Sequence, residues 1–543
     1  MDYNEIWKKY EKSHDYMQKK GIVSKTDRNW DMYIGYQWKG MNSNGRKLPI
    51  LNIIKPVIKY KVSTIAQHAM TANFSDADSN PEYQSIYREM NRRFAQSWEK
   101  AKMDTNAWKC NKDAAIAGDS YAYFYTDDTN DQPQILSNTS VLLGDENQPD
   151  IQKQPYIIIR ERLTVQQVKD IAKSYKIPQD EIDSIASDDD TSDQTFNKEE
   201  VSDKVTSLIY FTKKDGVVNV AKATKTCIYM PMHPLETMQM NKAVGHLTMY
   251  PIASFIWEPK PNSARGVSDV EFLIPNQIEL NKTLARRSIT VELTAYPRIA
   301  YDTTAIENPD DLSKVGAPIG MATGSSQSVS QAISYLNAAN MSSDAQDLFN
   351  DLLTQTKELA GAGDSALGNV DPQRTAAQAI IAVRDQTQVP LNEQVNTYQQ
   401  YVEDIALIWF DMWTTYDVDS FNTEQVDPIT GEIIQNQATP EILAALKPSV
   451  RIDVSQDNNW TKLSEQQTLD NLLNSNQITL AEWADLIPDN SPVPKGRLQK
   501  ILKQREEQQM QQAQQQIAQN QMQNEQEIPE NNGENTQQNA ETV

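Results

Sequence analysis

Apolar positions spaced three and four apart alternate along the chain with short β-rich runs, and the two patterns divide it into three stretches. In residues 1–20, Ile6, Trp7, Tyr10, Tyr16 and Met17 sit among charged neighbours, which predicts a short amphipathic helix. Asn29–Gly40 (NWDMYIGYQWKG) is aromatic and bounded by glycine, and it reads as a docking loop or short strand. From Leu51 to Met70, residues Ile53, Ile54, Val57, Ile58, Val62 and Ile65 keep helical spacing, with Pro56 near the first turn, where a missing N–H costs least. Residues 81–116 continue as helix, Ile86, Met90, Phe94 and Trp98 stepping by four. The pattern then turns to strands at Ser120–Asp128, Tyr156–Arg160, Val205–Thr212, Val217–Ala221, Thr226–Met230 and Ile252–Trp257.

Helix returns over Asp269–Leu293 and stops before Pro297. Residues 297–336 are irregular, with short apolar pieces at Arg298–Tyr301 and Ile319–Met321, and a second helix runs over Asp344–Ala360. After Gly361–Arg374 a long helix is expected over Thr375–Tyr416, about 60 Å if continuous. Its apolar stripe, Leu391, Val395, Tyr398, Val402, Ile405, Trp409 and Met412, alternates steps of four and three, and Pro390 is expected to kink it. Beyond it come a turn between strands at Pro428–Ile434, a strand at Ser449–Ser455 and short helices within 461–503. From Gln504 the chain is dominated by Gln, Asn and Glu; its first half can extend a helix, and its end has too little apolar surface to order itself.

The charge changes what this α+β pattern can do. The 543 residues carry 51 Lys and Arg against 74 Asp and Glu, a net charge of −23, which argues against a sequence-specific DNA reader and against tight electrostatic holding of phosphates. Two cysteines, Cys110 and Cys227, form no disulfide framework, and a charged N-terminus with no apolar run near 20 residues reads as a soluble intracellular protein.

Chemical motifs fail on the residues that would do the chemistry. Gly35–Gly40 has the glycine spacing of a phosphate loop, but Met41 stands where the lysine belongs. Gly361, Gly363 and Ala366 fit a dinucleotide fingerprint but follow a helix, not a strand. There is no GxSxG and no HExxH, and the acidic run Ser187–Asp193 lacks the turn glycine of a calcium loop. No catalytic residue, metal or cofactor is expected. The aromatics Trp30, Tyr33, Tyr36 and Trp38 lack interleaved arginines and fit protein packing better than base stacking; Arg286–Arg287 fits a helix surface.

The order of elements after Pro251 resembles the portal (head-to-tail connector) proteins of tailed bacteriophages. The residues that carry this are PIASFIWEPKPNSARGVSDVEFLIPNQIELNKTLARRSI, with Arg265–Gly266–Val267–Ser268 leading into a helix bearing Pro275, Gln277 and Asn281; then AGAGDSALGNVDPQRTAAQAI; then VRIDVSQDNNWTKLSEQQTLDNLLNSNQITLAEWADLIP and the Gln-rich tail. The resemblance implies a portal-like α+β fold: an N-terminal wing (1–268), stem helices (269–293 and 338–360), a small clip (294–337), a tunnel loop (361–374), a long kinked wing helix with return strands (375–455), a helical crown (456–505) and a polar tail (506–543).

It also implies a ring, typically dodecameric, at one capsid vertex of the virion, assembled in the host bacterial cytoplasm, through which double-stranded DNA passes without sequence-specific grip. The implied partners are further copies of the chain, the large terminase subunit, the major capsid and scaffolding proteins, and a head–tail adaptor, with no membrane. The tunnel loop would present Gly363, Asp364, Ser365, Leu367, Asn369, Gln373 and Arg374 to the DNA, and the clip would present Arg298, Tyr301, Asp310 and Lys314 to motor or adaptor. The alternatives are another oligomeric phage structural protein, such as a scaffold or adaptor, or a packaging ATPase or nuclease. Replacing Val395 and Val402 together with Asp is expected to abolish soluble folded protein or assembly, because each buried carboxylate would lack a partner; a double variant that purifies and assembles normally would show that the stripe is not buried.

Overall fold

Three consecutive isoleucines, Ile157, Ile158 and Ile159, are all fully buried. A strand can hide consecutive side chains only when both faces of its sheet are covered, and that requirement organises the first half of the chain. The computed structural model describes residues 3–41, 47–66, 68–75, 84–125, 133–188, 203–239, 242–295, 298–314, 318–322, 328–336, 343–363, 389–416, 423–426, 433–436, 449–456, 468–475, 477–486 and 501. The chain divides into two units, Met1–Ser455 and Gln456–Val543. In the second, the described helices are 468–474 and Leu480–Leu486.

The first unit opens with α1 (Tyr3–Lys19), α2 (Ile22–Ile34), α3 (Ile54–Ala66), β1 (His68–Ser75), α4 (Gln84–Lys100) and α5 (Met103–Ala117). Strands β2 (Asp119–Tyr123), β3 (Gln134–Ser137), β4 (Val141–Leu143) and β5 (Tyr156–Thr164) follow, then α6 (Val165–Ser174) and α7 (Gln179–Asp183). Next come β6 (Lys204–Lys214), β7 (Val217–Ala223), β8 (Ile228–Pro234), β9 (Glu236–Gln239), β10 (Lys242–His246) and β11 (Ile252–Ile256). Helix α8 (Asp269–Ala295) leads to β12 (Arg298–Tyr301), α9 (Val329–Ala332), β13 (Ile333–Leu336) and α10 (Ser343–Leu359). The unit closes with α11 (Asn392–Tyr416), β14 (Thr423–Val426), β15 (Ile433–Asn436) and β16 (Ser449–Gln456).

The main sheet is an antiparallel meander, β4-β5-β6-β7-β8. One face receives α1: Ile6, Tyr10 and Met17, with Val23, cover Leu142, Ile158, Leu208 and Tyr210. The other face, with Ile157, Ile159 and Phe211, joins the main core of α3, α5, α11 and the three-stranded sheet β11-β2-β3. Helix α11 packs there through Tyr398, Val402, Ile405, Trp409 and Met412, all buried, while Val395 is half-buried. Trp409 lies 5.4 Å from the Phe94 ring and 5.7 Å from Phe124, and Phe255 lies 5.6 Å from Tyr401. Asp411 near its end accepts hydrogen bonds from the backbone of Thr248 and Met249, both at 2.8 Å, so the helix also holds the segment entering β11.

Four expectations change. The aromatic run at Asn29–Gly40 is largely helix: Gly21 (φ 68°) and Gly35 (φ 109°) bracket α2, so Trp30 and Tyr33 lie on a helix and only Tyr36 and Trp38 lie in the turn beyond. The helix expected to Met70 ends at Ala66, because His68–Ser75 pairs with the distant β16, a partner that local periodicity cannot reveal. Residues 84–117 form two helices, broken at Lys102 with φ 48°. Pro390 lies in a 3-10 turn (Val389–Leu391) just ahead of α11, so it kinks nothing inside that helix, and residues 375–388 lie outside the described residues.

The junction into α8 is tied to this body by one buried cation. The Arg265 side chain is 7 % exposed and uses all five of its N–H donors. Nε and Nη2 form a fork on Glu146 (both 3.0 Å), Nη1 reaches Asp119 (3.1 Å) and the Asn138 carbonyl (2.8 Å), and Nη2 also reaches the Val141 carbonyl (2.8 Å). Burial works against its charge, but Tyr121, Glu146 and Asp119 hold the guanidinium well above its ordinary pKa. The next residue, Gly266, passes so close to Gly118 that a Cβ there would sit 2.2 Å from the Gly118 carbonyl oxygen. Ser268 then accepts from the Val270 N–H (3.0 Å) and donates to the Ile116 carbonyl at the end of α5 (2.6 Å). Asp269 receives Lys61 and the Trp257 indole N–H, each at 2.9 Å.

Removing one member of a buried ion cluster strands the others, at about 3–5 kcal/mol. Arg265→Met is therefore expected to lower the thermal midpoint sharply or abolish soluble protein, and Arg265→Lys, which keeps the charge but loses the fork, should fall between it and wild type. A methionine variant melting with the wild type would show that the cluster does not hold the junction.

Candidate functional site

From this anchor α8 runs 27 residues, about 40 Å. Its first half buries Val270, Leu273, Ile274 and Leu280, the first three in the main core, and buried polar side chains fix it in addition. The Gln277 amide pairs with backbone as a neighbouring strand would: its Oε1 accepts from the Ile53 N–H (2.9 Å) and its Nε2 donates to the Leu51 carbonyl (2.8 Å). One turn on, Asn281 accepts from the Leu51 N–H (3.2 Å) and donates to Gln37. Both amides are buried, and so are their partners' demands.

On another flank α8 meets α10 antiparallel, with Asn276 donating to Thr356 (3.1 Å) and Arg287 to Gln346 (3.3 Å). Beyond Ala285 no described residue of α8 is buried. The helix pair thus leaves the core and ends in a small module where β12 and β13 pair antiparallel, Arg298 opposite Leu336 and Tyr301 opposite Ile333. Among the described residues, that module's core is Ala305, Ile306 and Ala332, with Leu312, Met321 and Ile333 packed against it. Two paired strands with so little buried surface are marginal alone.

The structure brings the four predicted outer residues into this one module. Arg298 and Tyr301 lie on β12, Asp310 lies in the 3-10 turn Pro309–Ser313, and Lys314 follows it, 2.9 Å from Asp311. Tyr301, Asp310 and Lys314 are exposed. After α10 the chain reverses at Gly361 (φ 68°), buries Ala362 and reaches Gly363. Asp364, Ser365, Leu367, Asn369, Gln373 and Arg374 lie outside the described residues. Leu391, at the turn into α11, is buried with the stripe described above. Sequence reasoning quoted Arg265, Gln277 and Asn281 without seeing what they do, because a charge or amide inside an amphipathic pattern ordinarily marks the wet face.

Burial pushes the Cys110 thiol up to about 12; Cys227 rises to about 11 through burial and then Glu181, so neither is a thiolate at neutral pH. A cavity of about 420 Å³ between the sheets is lined by Tyr123, Phe211, Met412 and Tyr416 with Glu161, Lys222 and His233. It contains neither cysteine. Among the described residues no three His, Cys, Asp or Glu side chains group so as to hold a metal, and no helix is long and apolar enough to cross a membrane.

No curated protein matches the chain. A family model described as Phage P22-like portal protein matches residues 8–542, nearly the whole sequence. An α+β body with an anchored helix pair running out to a small strand module is thus the framework of a bacteriophage structural protein: the chain belongs to the P22-like portal family, the head-to-tail connectors of phage capsids that serve genome packaging.

Proposed function

We propose that copies of this chain close into a ring at one capsid vertex, that double-stranded DNA enters and leaves the head through the hole, and that α8 and α10 are the stem around it. The single observation that carries this reading is the family match over residues 8–542, and the outward-running helix pair supplies the part that would surround the axis. In this reading residues 294–337 are the clip, offering Arg298, Tyr301, Asp310 and Lys314 to the terminase and later to a head–tail adaptor. Residues 361–374 are the tunnel loop, 375–455 the wing helix and return strands, 456–505 the crown, and 506–543 the tail.

The acidic balance suits a wall past which phosphates must slide. Each phosphate neutralised by a fixed cation releases counterions and adds affinity, so a strongly basic lining would trap the duplex. A closed ring needs heterologous contacts, with two different faces on every subunit, and long helices with polar flanks provide them. The chain is a passive channel and platform; the energy for translocation comes from a separate ATP-driven enzyme.

Negative-stain images of the purified protein are expected to show rings with a central hole, and monomers or filaments under all assembly conditions would overturn the reading. Deleting residues 363–369 should leave rings intact and impair DNA packaging or retention in infected cells. A normal phage yield from the deletion would refute the tunnel-loop assignment.

A further inference from the structure

In a chain of net charge −23, residues 19–61 stand apart: they hold ten Lys and Arg against only Asp27 and Asp31. Lys25, Lys39 and Lys61 are paired with Glu271, Asp31 and Asp269, while Lys47, Lys55 and Lys59 are exposed on the segment entering α3 and on its first turns. Trp38 donates to the Pro49 carbonyl (3.1 Å) and Asn52 to the Tyr33 carbonyl (3.0 Å), which fastens the turn after α2 to the segment entering α3. The joined segments expose Tyr36 (64 %), Ile50 (43 %) and Leu51 (37 %) beside Lys47, Lys55 and Lys59, all exposed. The side chains of these three lysines make no hydrogen bond or ion pair among the described residues. Apolar residues interleaved with unpaired cations make a protein-docking platform more than a phosphate track, which would be polar throughout.

A matching surface exists on the same chain. Helix α10 exposes Asp347, Leu348, Asp351, Glu358 and Leu359, a stripe at helical spacing in which Leu359 is 83 % exposed and the three carboxylates have no ion pair among the described residues. The two surfaces lie on different flanks of α8. Asn276 faces α10 while the next residue, Gln277, faces the platform, and successive helical residues point about 100° apart. Two complementary patches aimed in different directions are what a head-to-tail contact between identical subunits requires.

We infer that the platform made by residues 36–41 and 47–59 of one copy receives the acidic, leucine-bearing face of α10 from the next copy, making this pair of surfaces a subunit contact of the ring. The inference rests on the ring reading above and deepens it by naming the faces that meet.

The test is charge reversal in the full-length protein, read by negative-stain counting of rings and by sedimentation. Lys55→Glu with Lys59→Glu, and separately Asp347→Lys with Asp351→Lys, should each cut the ring fraction about tenfold or more, since like charges then face one another. The four changes combined in one chain should restore rings. Rings undiminished in either reversal, or absent from the combined variant, would overturn the pairing while leaving the ring reading intact. Absence of rings from the wild type would overturn both. Rings that persist in the lysine reversal but lose binding to a fluorescent 30-base-pair duplex would assign the platform to nucleic acid instead. All four positions are exposed, so thermal midpoints should match the wild type. Should one fall, Lys→Gln and Asp→Asn pairs in a double-mutant cycle on ring stability decide the question by showing coupling or none.

Discussion

The buried guanidinium of Arg265 is the constraint on which the rest of the molecule depends. It lies on the loop into α8 and bonds to the start of β2 through Asp119, to the turn before β4 through Asn138, to β4 through the Val141 carbonyl and to the loop after β4 through Glu146. A burial this complete is tolerable only because every donor finds an acceptor and two carboxylates offset one cation. The adjacent Gly118–Gly266 approach allows no side chain, so the junction is rigid as well as charged. A helix of about 40 Å magnifies any play at its base, so a fixed base sets where its far end lies.

Above that base the character of the contacts changes. Alongside the buried Val270, Leu273 and Ile274, Gln277 and Asn281 tie α8 to the 37–53 segment by directional hydrogen bonds, and Asn276 and Arg287 do the same toward α10. Such bonds set position and register at modest net stability, about 0.5–1.5 kcal/mol each.

Much of the α+β architecture was legible in the residues. Ile86, Met90, Phe94 and Trp98 on α4, and the stripe from Leu391 to Met412, announce helices because their period matches the element. Where non-local partners decide, the signal fails. His68–Met70 reads as the end of a helix until β16 pairs with His68–Ser75, and the aromatic run after Asn29 reads as a loop or short strand because its bulky residues conceal the glycine-bounded helix that holds most of them. The candidate site was legible in outline only. The two helices could be followed from their apolar spacing and from Pro297, but the stretch between them read as irregular where β12 and β13 in fact pair, and Arg265, Gln277 and Asn281 act through burial that single-sequence periodicity assigns to apolar residues. The predicted residues 364–374 fall outside what the structure describes.

An image reconstruction of the assembled particle tests the ring channel most directly, because it shows where α8 and α10 lie about the symmetry axis. The expected result is a closed annulus in which the helix pair surrounds the hole and the 298–336 module forms one rim. A reconstruction in which the helix pair points away from any central hole, or in which the subunits form no closed annulus, contradicts it.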